Sequence, residues 1–215
     1  MEKIRKIVLF GPQGSGKSTQ AKGIVDFLGI EYISASQVLK DFIKQGSALG
    51  EKIQNLMASG QLIPDPQIIA LVLEELKTSR FVNGFLIDGF PRSLAQAEAL
   101  DLACGIDKVF NIEISDQEAI RRISGRRVCQ SGHVFHQQYN PSQKGDICDI
   151  CSAELYQRED DKEEVVKKRL AIYRQQSRQL IEYYQKQDKL VFFEGEKSIE
   201  EINNDIINYL KKYAG

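Results

Sequence analysis

The chain has almost no net charge, no long apolar run and few cysteines, and each shortage removes a class of function. Its 29 Lys and Arg stand against 30 Asp and Glu, a formal net charge of -1. No overall cationic field is available to coat a polyanion, so any anion must be met by local arginines. No stretch approaches the ~18 apolar residues of a membrane span, and the opening MEKIRKIVLFGPQG has only a short apolar run before its glycines. A soluble, cytoplasmic protein with no membrane partner is therefore expected. Only four cysteines occur, and three of them, Cys129, Cys148 and Cys151, fall in one short region. They read as thiols or metal ligands rather than a disulfide framework. Cys104, near the end of a helical pattern, reads as core packing. Internal repeats and low-complexity runs are also missing.

What is present is enough apolar material for a core: 215 residues, 42% of them hydrophobic, fit one main domain with small excursions. Short apolar runs at Lys6 to Phe10, Glu31 to Ser34, Phe85 to Asp88, Lys108 to Ile114 and Leu190 to Glu194 read as strands. Helical patterns lie at Ser18 to Leu28, Pro66 to Lys77, Leu94 to Leu102, Gln117 to Gly125, Glu163 to Gln187 and Ile199 to Lys212. This alternation is the βαβ signature of an α/β fold, a parallel sheet covered on both faces. Two stretches interrupt it. Ala35 to Ile63 holds two short helices, Ser36 to Gln45 and Leu49 to Ala58, separated by Gly46 and closed by Gly60, with no strand. Arg127 to Arg158 is polar, turn-rich and carries the clustered cysteines.

Gly11-Pro12-Gln13-Gly14-Ser15-Gly16-Lys17-Ser18 follows the first strand and opens a helix, the context that turns G-x-x-x-x-G-K-[ST] into a phosphate site. Gly11, Gly14, Ser15 and Gly16 let backbone N–H groups face phosphates, and the helix N-terminus adds partial positive charge. In that pattern Lys17 reaches the β- and γ-phosphates, and Ser18, followed by Thr19, offers a hydroxyl to Mg²⁺. Asp88 ends an apolar strand. Alone it would often be a cap, but beside this loop it suits the water shell of Mg²⁺.

At FLIDGFPRS the sequence resembles the adenylate kinase family, and the likeness runs over essentially the whole chain, through GPQGSGKSTQ, ELYQREDD and VVKKRL. The resemblance implies the P-loop nucleoside monophosphate kinase fold, with a five-stranded parallel sheet flanked by helices. It divides the chain into a core (1–34, 64–126 and 159–215), an AMP-binding insertion (35–63) and a lid (127–158). The implied activity is reversible Mg-dependent transfer of the γ-phosphoryl of ATP to AMP, and the Phe90–Pro91 bond is expected to be cis. Arginines suit such a site because they grip phosphate oxygens bidentately. The family pattern carries over onto Arg92 for the AMP phosphate, Arg126 and Arg158 from the lid, and Arg169 from the long helix, the last two also serving the acceptor. Arg122 and His136 fall where the adenine of ATP is lined, His136 being equally readable as a lid surface residue. The backbone near Lys197 falls where that adenine is hydrogen-bonded. Gln96 matches the reader of the AMP base, and Gly89 and Ile63 line the same pocket. Asp160 and Asp161 are expected to orient lid arginines.

Two departures concern the acceptor. Family members usually carry a Thr-Gly-Asp run followed by an Arg where this chain has Ala35-Ser36-Gln37-Val38-Leu39-Lys40. Ala35 lacks a hydroxyl, which Ser36 can supply, and Lys40 keeps the charge without the guanidinium fork. The lid cysteines resemble the four-ligand zinc site of many family lids, with Cys148-Asp149-Ile150-Cys151 as one knuckle. The other half offers Cys129 and, in place of a second Cys, His133. Asp146, His136 or a metal-free lid are the competing readings. A structural Zn²⁺ beside the catalytic Mg²⁺ is the expectation, in an enzyme acting as a monomer on ATP and AMP.

A kinase with another acceptor (UMP or CMP) or GTP as donor is the neighbouring alternative. A zinc-ribbon nucleic-acid-binding protein is the remote one, since Gln137, Gln138, Gln143 and Asp146 around the knuckle supply no basic stripe.

Overall fold

The structure is a computed structural model describing residues 3–58 and 63–213. Five strands form a parallel sheet in the order β2-β3-β1-β4-β7: β1 (Lys6–Phe10), β2 (Glu31–Ser34), β3 (Phe85–Asp88), β4 (Lys108–Glu113) and β7 (Leu190–Glu194). Every side chain in the run Ile7-Val8-Leu9-Phe10 is buried, because a parallel strand covered on both faces has no solvent side. The period of two sorts them: Ile7 and Leu9 join Ile24, Phe110, Ile202 and Ile206, whereas Val8 and Phe10 join Val72, Leu100, Leu180 and Tyr184. The first layer is made by α1 (Lys17–Leu28) and α8 (Ile199–Lys211). The second is made by α4 (Asp65–Leu76), α5 (Leu94–Cys104) and α7 (Glu163–Gln185). Between them in sequence, α6 (Asp116–Ser124) packs Ala119 and Ile123 against Val166 and Leu170 of α7.

The first interruption forms α2 (Ala35–Lys44) and α3 (Ala48–Ala58), parted by Gly46 at φ 70°. They are tied to the main core through buried Leu39 and Ile53. Gly60 lies outside the described residues. The second interruption is a small β-unit. Strands β5 (Arg126–Val128) and β6 (Val134–His136) pair antiparallel, and bridges Val128 to Tyr156 and Ile147 to Glu154 close it. Pairing therefore begins at Arg126, one residue before the expected lid boundary at 127.

Of the element ends that differ from the sequence reading by a residue or two, three do so for visible reasons. β4 stops at Glu113, one residue early, because Ile114 turns into the α6–α7 cluster. α7 stops at Gln185 rather than Gln187, since Asp188 at φ 54° turns the chain into β7. α5 continues past Leu102 to Cys104, where Gly105 at φ 65° ends it. Among the described residues no helix is long and apolar enough to cross a membrane.

Candidate functional site

The order of the strands decides where a ligand can sit. β1 lies between β3 and β4, so the chain leaves its C-terminal end at the point where the sheet's connections diverge, the usual ligand crevice of such sheets. Leu9 pairs in register with Asp88. That brings the glycine-rich loop after β1 beside the turn after β3. Gly11 is held at φ 143° with Ile112 O only 2.4 Å from where a Cβ would be, so no other residue fits. Gly16 caps α1 in the left-handed region at φ 88°, which leaves its N-terminal amides aimed outward.

Lys17 folds over this loop, donating to Gly11 O (2.7 Å) and Pro12 O (2.8 Å). Burial lowers its pKa, with Asp88 opposing and Arg92 adding to the shift. Across the cleft, Arg92 donates Nε–H to Gly89 O at 2.8 Å. Its pKa is lowered by removal from bulk water, against the attraction of Asp88 and with the repulsion of Arg169. Lys17, Asp88, Arg92 and Arg169 line one cleft of about 300 Å³, with Phe10, Tyr173 and Leu180 among its apolar walls. Three cations thus face one another with a single carboxylate between them, an arrangement that a polyanion stabilises. The Phe90–Pro91 bond that turns the chain here is cis.

Asp88 accepts from Tyr32 Oη–H (3.2 Å) and Ser18 Oγ–H (3.4 Å). Burial, then Asp88, raises the Tyr32 pKa to about 12, so it remains a donor at neutral pH. Ser18, Tyr32 and Asp88 form an all-oxygen set with one negative charge. That fits Mg²⁺, a hard cation that keeps waters and phosphate oxygens and asks little of the protein.

Each of the remaining expected arginines is held by a carboxylate. Arg126 forms a two-pronged pair with Asp161, with Nε to Oδ2 at 2.8 Å, and the Asp161 carboxylate is fully buried. The hydrogen bond to Asp161 is the main reason the Arg126 pKa is raised. Asp160 takes both Arg158 (2.8 Å) and Arg169 (3.4 Å). Arg122 donates to Glu118 (2.6 Å) and to Gly14 O (3.2 Å), tying α6 to the phosphate loop. His136 accepts two backbone N–H groups at Nδ1, from Gln138 and Tyr139 at 3.0 Å each, and its ring lies against Tyr139. Burial lowers its pKa, which keeps it neutral. Lys197 stands apart, paired with Asp205 at 2.9 Å. Thr19 is exposed on the first turn of α1.

On the other wall, Ala35 is buried beside Gly89, while Ser36 is exposed and shares a 2.9 Å contact with Ser34 Oγ. Lys40 is exposed on α2, and Ile63 packs against the main core. Gln96 is buried and bonded to Arg92 and Asp65.

In the small β-unit, His133 Nδ1 lies 3.4 Å from both Cys129 Sγ and Cys148 Sγ, and Cys151 Sγ lies 3.6 Å from Cys129 Sγ. The four ligand atoms all fall within 4.8 Å of one another. Metal–ligand bonds of about 2.0–2.3 Å place the corners of a zinc tetrahedron about 3.5–3.8 Å apart, so the cluster could hold that ion. His136 and Asp146 are outside this group.

The family model described as adenylate kinase matches residues 9–189. The adenylate kinases of Methanosarcina barkeri and Alkaliphilus oremlandii are 44% and 45% identical over 97% and 95% of this chain, and 99% and 98% of their own lengths. That of Finegoldia magna is 41% identical over 96% of this chain and 99% of its own. The chain belongs to the adenylate kinase family.

In this member of the family several site-supporting groups escape a reading of the sequence. Glu118 gathers Arg121, Arg122 and the Tyr139 hydroxyl (3.1 Å), linking the small β-unit to α6. Its spacing of three and four residues from the two arginines was the available signal. Tyr32 and Asp65 offered none, because their partners lie 56 and 31 residues away in the chain.

Proposed function

We propose that the chain catalyses the reversible transfer of the γ-phosphoryl group of Mg·ATP to AMP, giving two ADP. The observation that carries this is the facing of Lys17 and the phosphate loop by Arg92 and Arg169 across one cleft. Two phosphate chains brought end to end repel strongly, and fixed cations around the meeting point remove that repulsion without covalent chemistry. Backbone N–H groups between Gly11 and Thr19, Pro12 excepted, and the Lys17 ammonium hold the donor, with Arg122, His136 and the backbone near Lys197 around its base. Arg92, with Arg158 and Arg169, holds the acceptor phosphate; Ala35, Ser36, Lys40, Ile63, Gly89 and Gln96 surround the rest of the acceptor. Arg126, at the root of the lid (127–158), and Arg158, at its end, neutralise charge developing on the transferred group. Closure of that lid over the core and the 35–63 insertion excludes water as a competing acceptor.

Bound Mg²⁺, held through Ser18 and Asp88, would neutralise the β- and γ-oxygens of the donor. Zn²⁺ on Cys129, His133, Cys148 and Cys151 would be structural, stiffening the lid so that it moves as one body. The enzyme is taken to be a cytoplasmic monomer, which elution as a single chain on size exclusion would check.

Ala35 and Lys40 leave a second reading, a pyrimidine acceptor, open to direct trial. Turnover measured for AMP, CMP and UMP with ATP or GTP as donor is expected to be highest for the ATP and AMP pair. AMP failing where CMP or UMP succeeds would replace the acceptor, and no transfer to any of them would end the proposal.

A further inference from the structure

Gln96 is the least exposed polar side chain near the acceptor turn, at 6%, and its amide is oriented by groups that have no freedom themselves. Its Oε1 accepts from the backbone N–H of Arg92 at 2.7 Å, and its Nε2 donates to Asp65 Oδ1 at 2.6 Å. A backbone N–H can only donate and a carboxylate can only accept, so the opposite amide orientation would place donor on donor and acceptor on acceptor. The other oxygen of Asp65 accepts from Ser93 Oγ–H at 2.6 Å, and Ser93 Oγ in turn accepts from Gln96 N at 3.3 Å, capping α5. Asp65, the first residue of α4, is thereby pinned at both oxygens.

We infer that Asp65 is a positioning residue that makes the acceptor site select an amino base over an oxo base, by fixing which way the Gln96 amide faces. The inference rests on the reading of Gln96 as the residue that meets the acceptor base. With one N–H and one oxygen lone pair spent on the protein, the amide retains one N–H and one lone pair. That remaining pair complements a ring nitrogen that accepts beside an exocyclic amino group that donates, the pattern of adenine and cytosine. Hypoxanthine and uracil present the inverse, a ring N–H beside a carbonyl. Ring size is not read by this pair and is left to the walls of the site. A free amide could rotate and satisfy either pattern, and only a locked one discriminates.

AMP and IMP differ at this edge alone, so the ratio of their kcat/KM values reads the lock. Asp65→Ala, or Asp65→Ser where the alanine variant does not fold, is expected to raise the KM for AMP by about tenfold and to shrink the AMP-to-IMP ratio by about tenfold or more. The KM for ATP should stay within about twofold of its original value, as expected of a change confined to one base edge. Asp65→Asn, which can accept from Gln96 and donate to Ser93, should restore the ratio. A ratio unmoved in Asp65→Ala, or an asparagine variant no better than alanine, would overturn the inference and leave Asp65 as a helix-end carboxylate. If the wild-type enzyme takes a pyrimidine acceptor instead of AMP, the proposed function falls but the lock does not. It is then judged on CMP against UMP, which carry the same inversion.

Discussion

The cleft between Lys17 and Arg92 and the proposed lid carry their arginines on very different foundations. Asp88 ends β3, and Lys17 and Arg92 sit on the short segments that follow β1 and β3, strands whose side chains are buried on both faces. Among the described residues the proposed lid has a core of only Cys129, Phe135, Cys148 and Leu155, with Ala153 against it. A sheet flanked by two helical layers holds its loops by packing alone. A unit that small cannot; it carries instead the Cys129, His133, Cys148 and Cys151 cluster inside and buried carboxylates at its root. The lesson is that precision in the cleft comes from apolar area, whereas in the lid it comes from a few polar contacts that can be removed one at a time.

The largest expected effect breaks the cleft without touching its foundation. Arg92→Ala should cost about 10³-fold in turnover with little change in the thermal midpoint, measured by a coupled ADP assay and calorimetry. The second breaks the lid without touching the cleft. Removing the metal by chelation, or Cys148→Ser, should abolish amide-exchange protection across Val128, Phe135 and Leu155 while the parallel strands keep theirs. Zinc content should fall from one ion per chain to none. Equal loss of protection in both regions would refute the contrast.

The third acts at the root of the lid. Asp161 is 0% exposed and paired with Arg126. Asp161→Ala leaves that guanidinium without its partner, at an expected cost of about 3 kcal/mol, measured by denaturant unfolding. The smallest effect concerns Glu118, whose carboxyl lies below its ordinary 4.5. Burial opposes the shift, and the hydrogen bonds from Arg122, Tyr139 and Arg121 outweigh it. A depressed carboxylate stabilises the fold fully above its unfolded value, and that contribution is lost as pH falls below 4.5 through the folded value. The drop in thermal midpoint between neutral pH and pH 4 should therefore be shallower in Glu118→Gln than in the wild type.

The same contrast explains what could be read before the structure. All five sheet strands were legible because apolar runs bounded by Gly or Asp have few alternatives. Lys17 and Ser18 could be singled out by the glycine-rich motif that opens α1, and Asp88 by its place at a strand end. The choice of His133 over His136 for the lid cluster was legible from spacing. The structure spends His136 instead on the turn at Gln138 and Tyr139. What stayed hidden were the supports. Asp65 under Gln96, Tyr32 under Asp88 and the reach of Tyr139 to Glu118 depend on where the fold brings distant segments together. An isolated Asp or Tyr carries no periodicity to announce that. Lys197 shows the reverse limit: its ammonium is engaged with Asp205 and Glu194, so only its backbone is free for the role the pattern suggests.

Phosphorus NMR of the protein mixed with Mg²⁺, ATP and AMP tests the central claim most directly, because it follows the transferred group itself. The account predicts two ADP formed for each ATP consumed, with inorganic phosphate absent while AMP remains. Phosphate released in step with ATP loss, and AMP left intact, would contradict it.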